Sequence, residues 1–143
     1  MNRISEEDLL HIYTNTQSLW NALRNKRIFI TGATGFFGKW LLGSFLYINN
    51  KLSLNAHICA LSRNPEAFLA EYPSFKDPSI NFIKGDIQSF DFPGDDYHFV
   101  IHAATDADAQ QNIDSPLLML ETITLGTKRI LEFAQKNQLN LFY

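Results

Sequence analysis

The chain is poor in the residues that mark several specialised classes of protein. It has one cysteine, Cys59, so no disulfide can form within it. Lysine and arginine total 12 against 15 acidic residues, and the absence of a basic stripe argues against a nucleic-acid partner. No apolar run approaches the roughly 20 residues that span a bilayer, and the first residues lack a signal-peptide pattern. We therefore expect a cytoplasmic protein without a membrane or nucleic-acid partner.

Metal ligands are also sparse. The four histidines, His11, His57, His98 and His102, are scattered without the spacing of a metal site. What the chain does have is 45% hydrophobic residues over 143 positions, enough for one domain with a core. We predict no metal site, and we expect Cys59 to be buried and inert within a strand.

The most informative stretch is residues 28–42, which read IFITGATGFFGKWLL. A β-branched and aromatic run breaks into Gly32, Gly35 and Gly38, and an apolar segment with helical spacing follows at once. Glycine lets the backbone approach a ligand closely, and a helix start offers free N–H groups with a positive dipole end. The stretch therefore predicts a strand, a turn and a helix that bind a pyrophosphate.

Strands and helices alternate along the rest of the chain. We predict strands at 28–31, 56–61, 81–84 and 99–102, and a fifth that begins at Leu141. A helix follows the glycines, and the pairs Asn64-Pro65 and Ser115-Pro116 are typical helix starts, the second opening a helix to about Lys136. This alternation favours an α/β fold, a doubly wound parallel sheet of Rossmann type with strand order 3-2-1-4-5.

The first residues form a separate helical extension in our interpretation. Ser5 and Asp8 are spaced as in a capping box, and apolar residues follow at helical intervals. We expect residues 14–16, Thr-Asn-Thr, to break the extension into two short helices. The predicted division is residues 1–26 for the extension and 27–143 for a partial dinucleotide-binding Rossmann domain.

Four motifs now resemble those of the extended short-chain dehydrogenase/reductase family, the nucleotide-sugar epimerases and dehydratases. TGATGFFG at 31–38 is similar to the TGxxGxxG loop of that family. GDI at 85–87 resembles its adenine contact, HAA at 102–104 resembles its segment after the fourth strand, and GT at 126–127 resembles its helix turn. One departure is Ile123, which stands where the family usually has asparagine; Thr122 or Thr124 could supply that polar contact.

The resemblance implies a set of cofactor-binding residues. The pyrophosphate would lie on the loop and helix start, at Gly32, Thr34, Gly35, Phe36, Phe37 and Gly38. Asp86 would accept from the adenine amino group and Ile87 would lie against the ring. Ala103 and Ala104, with Thr105 after them, would leave room for the nicotinamide half. Asp86 as a plain turn residue and the alanines as tight core packing remain open.

The end of the second predicted strand bears on the choice of cofactor. NAD-binding relatives of this fold place an acid there, for the ribose hydroxyls. Here Ser62 stands in that place and Arg63 follows. A hydroxyl and a guanidinium suit a 2′-phosphate, so we favour NADP over NAD. A solvated loop arginine is the alternative for Arg63.

The chemistry of the resembling family uses a tyrosine with a lysine four residues later. Two such pairs occur, Tyr47 with Lys51 and Tyr72 with Lys76, but neither follows the fifth strand as the family's pair does. The sequence ends at Tyr143, within that strand, so we expect the cofactor-binding portion of a longer enzyme, without turnover of its own. Asp106 and Asp108 are candidates to position a substrate, with a solvated loop as the alternative.

The sequence therefore predicts the NAD(P)-binding portion of an epimerase, dehydratase or ketoreductase that acts on a nucleotide sugar. Two alternatives stay open. One is a fragment of an NADP-dependent reductase of the fatty acyl-CoA or dihydroflavonol type, and the other is a non-catalytic NAD(P)-binding or redox-sensing module. An exposed sheet edge would favour self-association, so we expect a homo-oligomer.

Overall fold

A computed structural model describes residues 4–94, 96–104 and 113–142. Its centre is a five-stranded parallel sheet in the order β3-β2-β1-β4-β5. The strands are β1 (Arg27–Thr31), β2 (His57–Ser62), β3 (Ile80–Lys84), β4 (Phe99–His102) and β5 (Asn140–Phe142). The helices are α1 (Glu6–Trp20), α2 (Phe36–Leu52), α3 (Pro65–Glu71) and α4 (Pro116–Lys136), with 3₁₀ turns at Asn21–Leu23 and Pro73–Phe75. The predicted fold class and strand order are confirmed.

Alternating side chains of β1 divide the core between the two faces of the sheet. Ile28 and Ile30 face one layer, where they join Leu42, Phe45 and Ile48 of α2. Phe29 faces the other layer, where the centroid of its ring lies 4.9 Å from that of Phe133 on α4. Cys59 of β2 is buried on that second face, as predicted. Because both faces are covered, β1 reads in the sequence as a continuous apolar run.

The N-terminal extension differs from its prediction in one respect. Residues 14–16 do not break it, because α1 runs unbroken from Glu6 to Trp20. The hydroxyl groups of Thr14 and Thr16 donate to the carbonyl oxygens of Leu10 and Ile12, at 2.8 and 2.6 Å. Both hydroxyls thus bond to a carbonyl of the preceding turn, an arrangement that leaves the helix unbroken. The N-cap prediction holds, since the Asp8 N–H donates to Ser5 Oγ at 3.1 Å.

The extension is joined to the sheet domain through α2. The Arg24 guanidinium, just after the first 3₁₀ turn, donates to the carbonyl oxygens of Ser53 and Leu52, at 2.8 and 3.2 Å. These carbonyls lie at the end of α2, where helix carbonyls have no partner within the helix. The extension therefore secures the end of α2 that lies opposite the glycine loop.

Within the described residues, no helix combines the length and the apolar character needed to cross a membrane.

Candidate cofactor cleft

A cleft of about 200 Å³ opens where the carboxyl ends of β1, β2, β3 and β4 meet. Its walls contain residues of the glycine loop, of the segments that follow β2, β3 and β4, and of α4, but not Gly126 or Thr127. The lining residues are Thr31, Gly32, Thr34, Gly35, Leu61, Ser62, Arg63, Gly85, Asp86, Ile87, Ala103, Ala104, Thr122 and Ile123. Ligands of open α/β sheets bind at this edge, beside the point where strand order reverses, which here falls between β1 and β4.

The glycine loop is shaped by close backbone contacts. Gly32 has a φ of +72°, in the left-handed region, and a Cβ there would overlap the backbone of Ala103. A Cβ at Gly38 would overlap the Gly32 carbonyl oxygen and the backbone of Ala33. Gly35 is the N-cap of α2 and provides no side-chain hydrogen bond to the helix start. The first turn of α2 thus presents its N–H groups without a side-chain cap, as an anion site requires.

Three predicted residues of this loop lie outside the cleft lining. Gly38 is buried behind the loop, where its role is to let α2 approach Gly32. Phe36 and Phe37 are 61% and 75% exposed, and their rings pack edge to face at 5.4 Å. Any contact of these two phenylalanines with a pyrophosphate would come from their backbone amides, at the start of α2.

The end of β2 brings one charged side chain to the cleft. Ser62 is buried, and its Oγ accepts from the Asn64 N–H at 3.3 Å. Arg63 is exposed and lines the cleft mouth. Asn64 caps α3 as predicted, accepting from the Ala67 N–H at 3.2 Å. A hydroxyl and a guanidinium thus stand at the β2 end, and none of the residues lining the cleft on this strand is an acid.

Asp86 follows β3, lines the cleft and also organises its own turn. Its Oδ1 accepts from the Gln88 N–H at 2.9 Å, and its carbonyl oxygen accepts from the Phe90 N–H at 2.8 Å. The turn interpretation of Asp86 is therefore compatible with the binding interpretation, since the same residue serves the turn and faces the cleft. Ile87 beside it packs against Gly126 of α4.

The α4 wall was the part of the cleft least visible in the sequence. A Cβ at Gly126 would lie 3.0 Å from Cγ1 of Ile87, so glycine allows α4 to approach the turn that follows β3. Gln88 Nε2 donates to Thr122 Oγ1 at 3.0 Å, which ties the same turn to α4. Ile123, the departure from the family pattern, lines the cleft together with Thr122. Leu61 also lines the cleft and was not predicted to do so. Its position near the end of β2 could have indicated it.

The floor of the cleft is the backbone after β4. Ala103 and Ala104 line it, and their N–H groups donate to the carbonyl oxygen and the hydroxyl of Thr31. Burial lowers the pKa of His102, which precedes them. Thr105, Asp106, Asp108 and Tyr143 lie outside the described residues.

Neither tyrosine–lysine pair lies in this cleft. Lys51 Nζ is 3.4 Å from Tyr47 Oη on α2, on the side that faces α1. Tyr72 lies between the end of α3 at Glu71 and a 3₁₀ turn, so no helix aligns it with Lys76. A side-chain hydrogen bond with Glu71, then burial and the Glu71 charge, raise the pKa of Tyr72 above its usual value. An activated phenol would require the opposite shift.

A second, larger cavity of about 650 Å³ lies between α1, α2 and the segment after α3. Its walls include Leu9, Leu46, Tyr47, Tyr72 and Phe75. Its size does not make it the better candidate, because it lies away from the carboxyl ends of the strands and has no glycine loop.

The comparisons with known proteins agree with this geometry. Residues 28–143 match the family model described as the NAD dependent epimerase/dehydratase family. The chain belongs to that family. It is thus a member of the extended short-chain dehydrogenases/reductases, as the motifs predicted. No curated protein matches the chain.

Solved structures share the fold of this family member. Pen from Bacillus thuringiensis superimposes with a TM-score of 0.66 at 22% identity, over 82% of this chain and 36% of that one. An epimerase from Methanothermobacter thermautotrophicus superimposes with a TM-score of 0.61 at 25% identity, over 89% of this chain and 37% of that one. The dTDP-glucose 4,6-dehydratase DesIV from Streptomyces venezuelae was solved with NAD and TYD bound. It superimposes with a TM-score of 0.61 at 23% identity, over 79% of this chain and 37% of that one. The chain therefore spans little more than a third of the length of these structures.

Proposed function

We propose that the cleft binds a nicotinamide dinucleotide, with its pyrophosphate at the start of α2. The observation that supports this most is the convergence of Gly32, Gly35, Asp86 and Ala103 on one cleft at the carboxyl ends of parallel strands. A pyrophosphate gains from the uncapped N–H groups and the positive dipole end of α2. The adenine ring would lie against Ile87 and beside Asp86, and the nicotinamide half would pass over Ala103 and Ala104.

The arrangement at the β2 end supports NADP as the preferred cofactor. A 2′-phosphate there would meet the Arg63 guanidinium, and no acid of β2 lines the cleft to repel it. Ser62 is the less direct partner, because its side chain is buried whereas that of Arg63 is exposed. We therefore assign the larger share of the selectivity to Arg63.

The first test is a fluorescence titration of the purified chain with NADPH and with NADH. The proposal expects saturable binding of both, with NADPH bound more tightly. Failure of both nucleotides to saturate the chain at millimolar concentration, on the order expected for weak cofactor sites, would overturn it. Gly94→Ala is a suitable control, because a Cβ there meets no atom within 4 Å.

For the whole protein we propose an epimerase, dehydratase or ketoreductase reaction on a nucleotide sugar. The support is membership of the NAD-dependent epimerase/dehydratase family, together with the nucleotide-sugar dehydratase among the similar structures. When bound, the cofactor would supply hydride transfer. This chain's own residues would bind and orient it, through the loop at Gly32 and the floor at Ala103.

The reaction is best tested on the longest gene product that contains this chain. Turnover of at least one nucleotide sugar with the cofactor is expected there, whereas the described chain alone is expected to bind cofactor without turnover. Reduction of an acyl-CoA or a dihydroflavonol would favour the alternative reductase, and binding without turnover of any of these would favour a sensing module.

Self-association remains part of the proposal. Within the described sheet β5 is an outer strand, and several leucines of α4 are exposed, among them Leu117, Leu120 and Leu125. An exposed apolar row of this kind favours association of copies. Light scattering should give a mass above that of the monomer, and a monomer across a wide concentration range would contradict it.

A further inference from the structure

A partly buried series of polar side chains connects the cleft floor to α4. His102 Nδ1 lies 2.7 Å from Thr31 Oγ1, and His102 Nε2 lies 3.2 Å from Thr127 Oγ1. The three residues belong to β4, β1 and α4, so one imidazole joins three elements. The sequence singled out His102 and Thr127 only as parts of separate motifs, and it gave no reason to pair them.

Thr31 passes this connection on to the backbone that lines the cleft. Its side chain is fully buried, and its Oγ1 accepts from the Ala104 N–H at 3.3 Å. Its carbonyl oxygen accepts from the Ala103 N–H at 3.2 Å. Thr31 therefore fixes the two peptide groups over which the nicotinamide half would pass, and the orientation of its hydroxyl depends on His102.

The two hydroxyl partners also define what His102 can do. Burial lowers its pKa, which favours the neutral imidazole, in which one nitrogen is a donor and the other an acceptor. Threonine hydroxyls can donate or accept, so both nitrogens are satisfied in either tautomer. The lone pair of the neutral imidazole therefore faces a threonine hydroxyl, which favours a positioning role over that of a general base.

We propose that His102 is a positioning residue for the nicotinamide half of the cofactor. It holds the Thr31 hydroxyl from one side and Thr127 from the other, and so sets the backbone of Ala103 and Ala104 relative to α4. This inference rests on the proposed function, because it assigns a part of the same cleft to one half of the dinucleotide.

The experiment separates the two halves of the ligand. ADP has the adenine half and two phosphates but no nicotinamide, so its binding should depend little on the cleft floor. We would titrate wild-type chain and variants by calorimetry with ADP and with whichever of NADH and NADPH the wild type binds more tightly. The informative variants are His102→Leu, His102→Asn and Thr127→Val, and His11→Leu is the matched control at an exposed site on α1.

His102→Leu is expected to weaken dinucleotide binding by about tenfold, the effect of about one net hydrogen bond, while ADP binding changes by less than about twofold. His102→Asn can place an amide near the Nδ1 position and should recover most of the loss. Thr127→Val removes only the α4 contact and should give a smaller loss, again confined to the dinucleotide. His11→Leu should match the wild type for both ligands.

Equal losses for ADP and the dinucleotide would overturn the inference, because they would indicate a general structural defect. Unchanged dinucleotide affinity in His102→Leu would overturn it as well. If His102→Leu does not fold, His102→Asn and Thr127→Val decide by the same comparison. A wild-type chain that binds neither ligand would instead contradict the proposed function itself.

Discussion

Gly38 packs directly on the carbonyl oxygen of Gly32, with no space between them for a side-chain carbon. The contact fixes the distance between α2 and the turn after β1. It also explains why a glycine that lies outside the cleft belongs to the motif. The start of α2 can face the cleft only because this approach is possible.

Gly38→Ala is therefore expected to damage both the fold and binding. The new methyl group would force the loop away from α2, at a cost of about 1–3 kcal/mol in the free energy of unfolding. Chemical denaturation measures that cost, and a titration with NADPH should show weaker binding. Gly94→Ala, at a site with open space, should leave both quantities unchanged. Equal stability of the two variants would contradict the packing argument.

Arg63→Ala tests the basis of cofactor selectivity. Loss of a charged hydrogen bond to the 2′-phosphate should weaken NADPH binding by about tenfold to a hundredfold, and NADH binding by much less. Ser62→Asp, which introduces an acid at the end of β2, should favour NADH further. Competitive titrations with the two nucleotides measure the ratio. Equal losses for both nucleotides in Arg63→Ala would exclude a direct contact with the 2′-phosphate.

Gly126 offers a graded test of the α4 wall. In Gly126→Ala the new methyl group would lie 3.0 Å from Ile87 Cγ1, so Ile87 must shift by a few tenths of an ångström. Alanine within a helix is favoured over glycine by about 0.5–1 kcal/mol, which offsets the cost of moving Ile87. The free energy of unfolding should therefore change little. ADP binding should weaken, and Gly126→Val should weaken it more. Unaltered ADP affinity in both variants would remove Ile87 from the adenine site.

The pH dependence of stability follows from the pKa of His102. Burial lowers this pKa in the folded chain below its usual value of 6.5, so the unfolded chain binds more protons at mildly acidic pH. The contribution is fully present above pH 6.5 and is lost as the pH falls toward the folded-state pKa. Thermal unfolding across this range should show a steeper loss for wild type than for His102→Asn. Identical pH profiles would contradict a pKa of His102 that burial lowers.

Much of the fold was predictable because its signals are local. The alternation of apolar strands with capped helices predicted the parallel sheet. The position of Asn64 before Pro65 predicted the cap of α3. The unbroken α1 was not predicted, because the sequence does not show that the hydroxyls of Thr14 and Thr16 bond to carbonyls one turn earlier and leave the helix continuous.

The lining of the candidate cleft was predictable where a motif follows a strand, as at Gly32, Asp86 and Ala103, since the carboxyl ends of parallel strands share one edge. The α4 wall was harder. Which face of α4 meets the cleft depends on its packing against Ile87, a contact between residues distant in sequence. The link from His102 to Thr127 is tertiary in the same way, and no local pattern specifies it.

The central claim is that a nicotinamide dinucleotide binds at the carboxyl ends of the strands. The most direct measurement is a map of backbone amide shifts by NMR during titration of the isotope-labelled chain with NADPH. We expect saturable changes concentrated at Gly32, Gly35, Ile87 and Ala104. Changes concentrated instead around Leu46 and Tyr47, beside the larger cavity, or no saturable changes at all, would contradict the account.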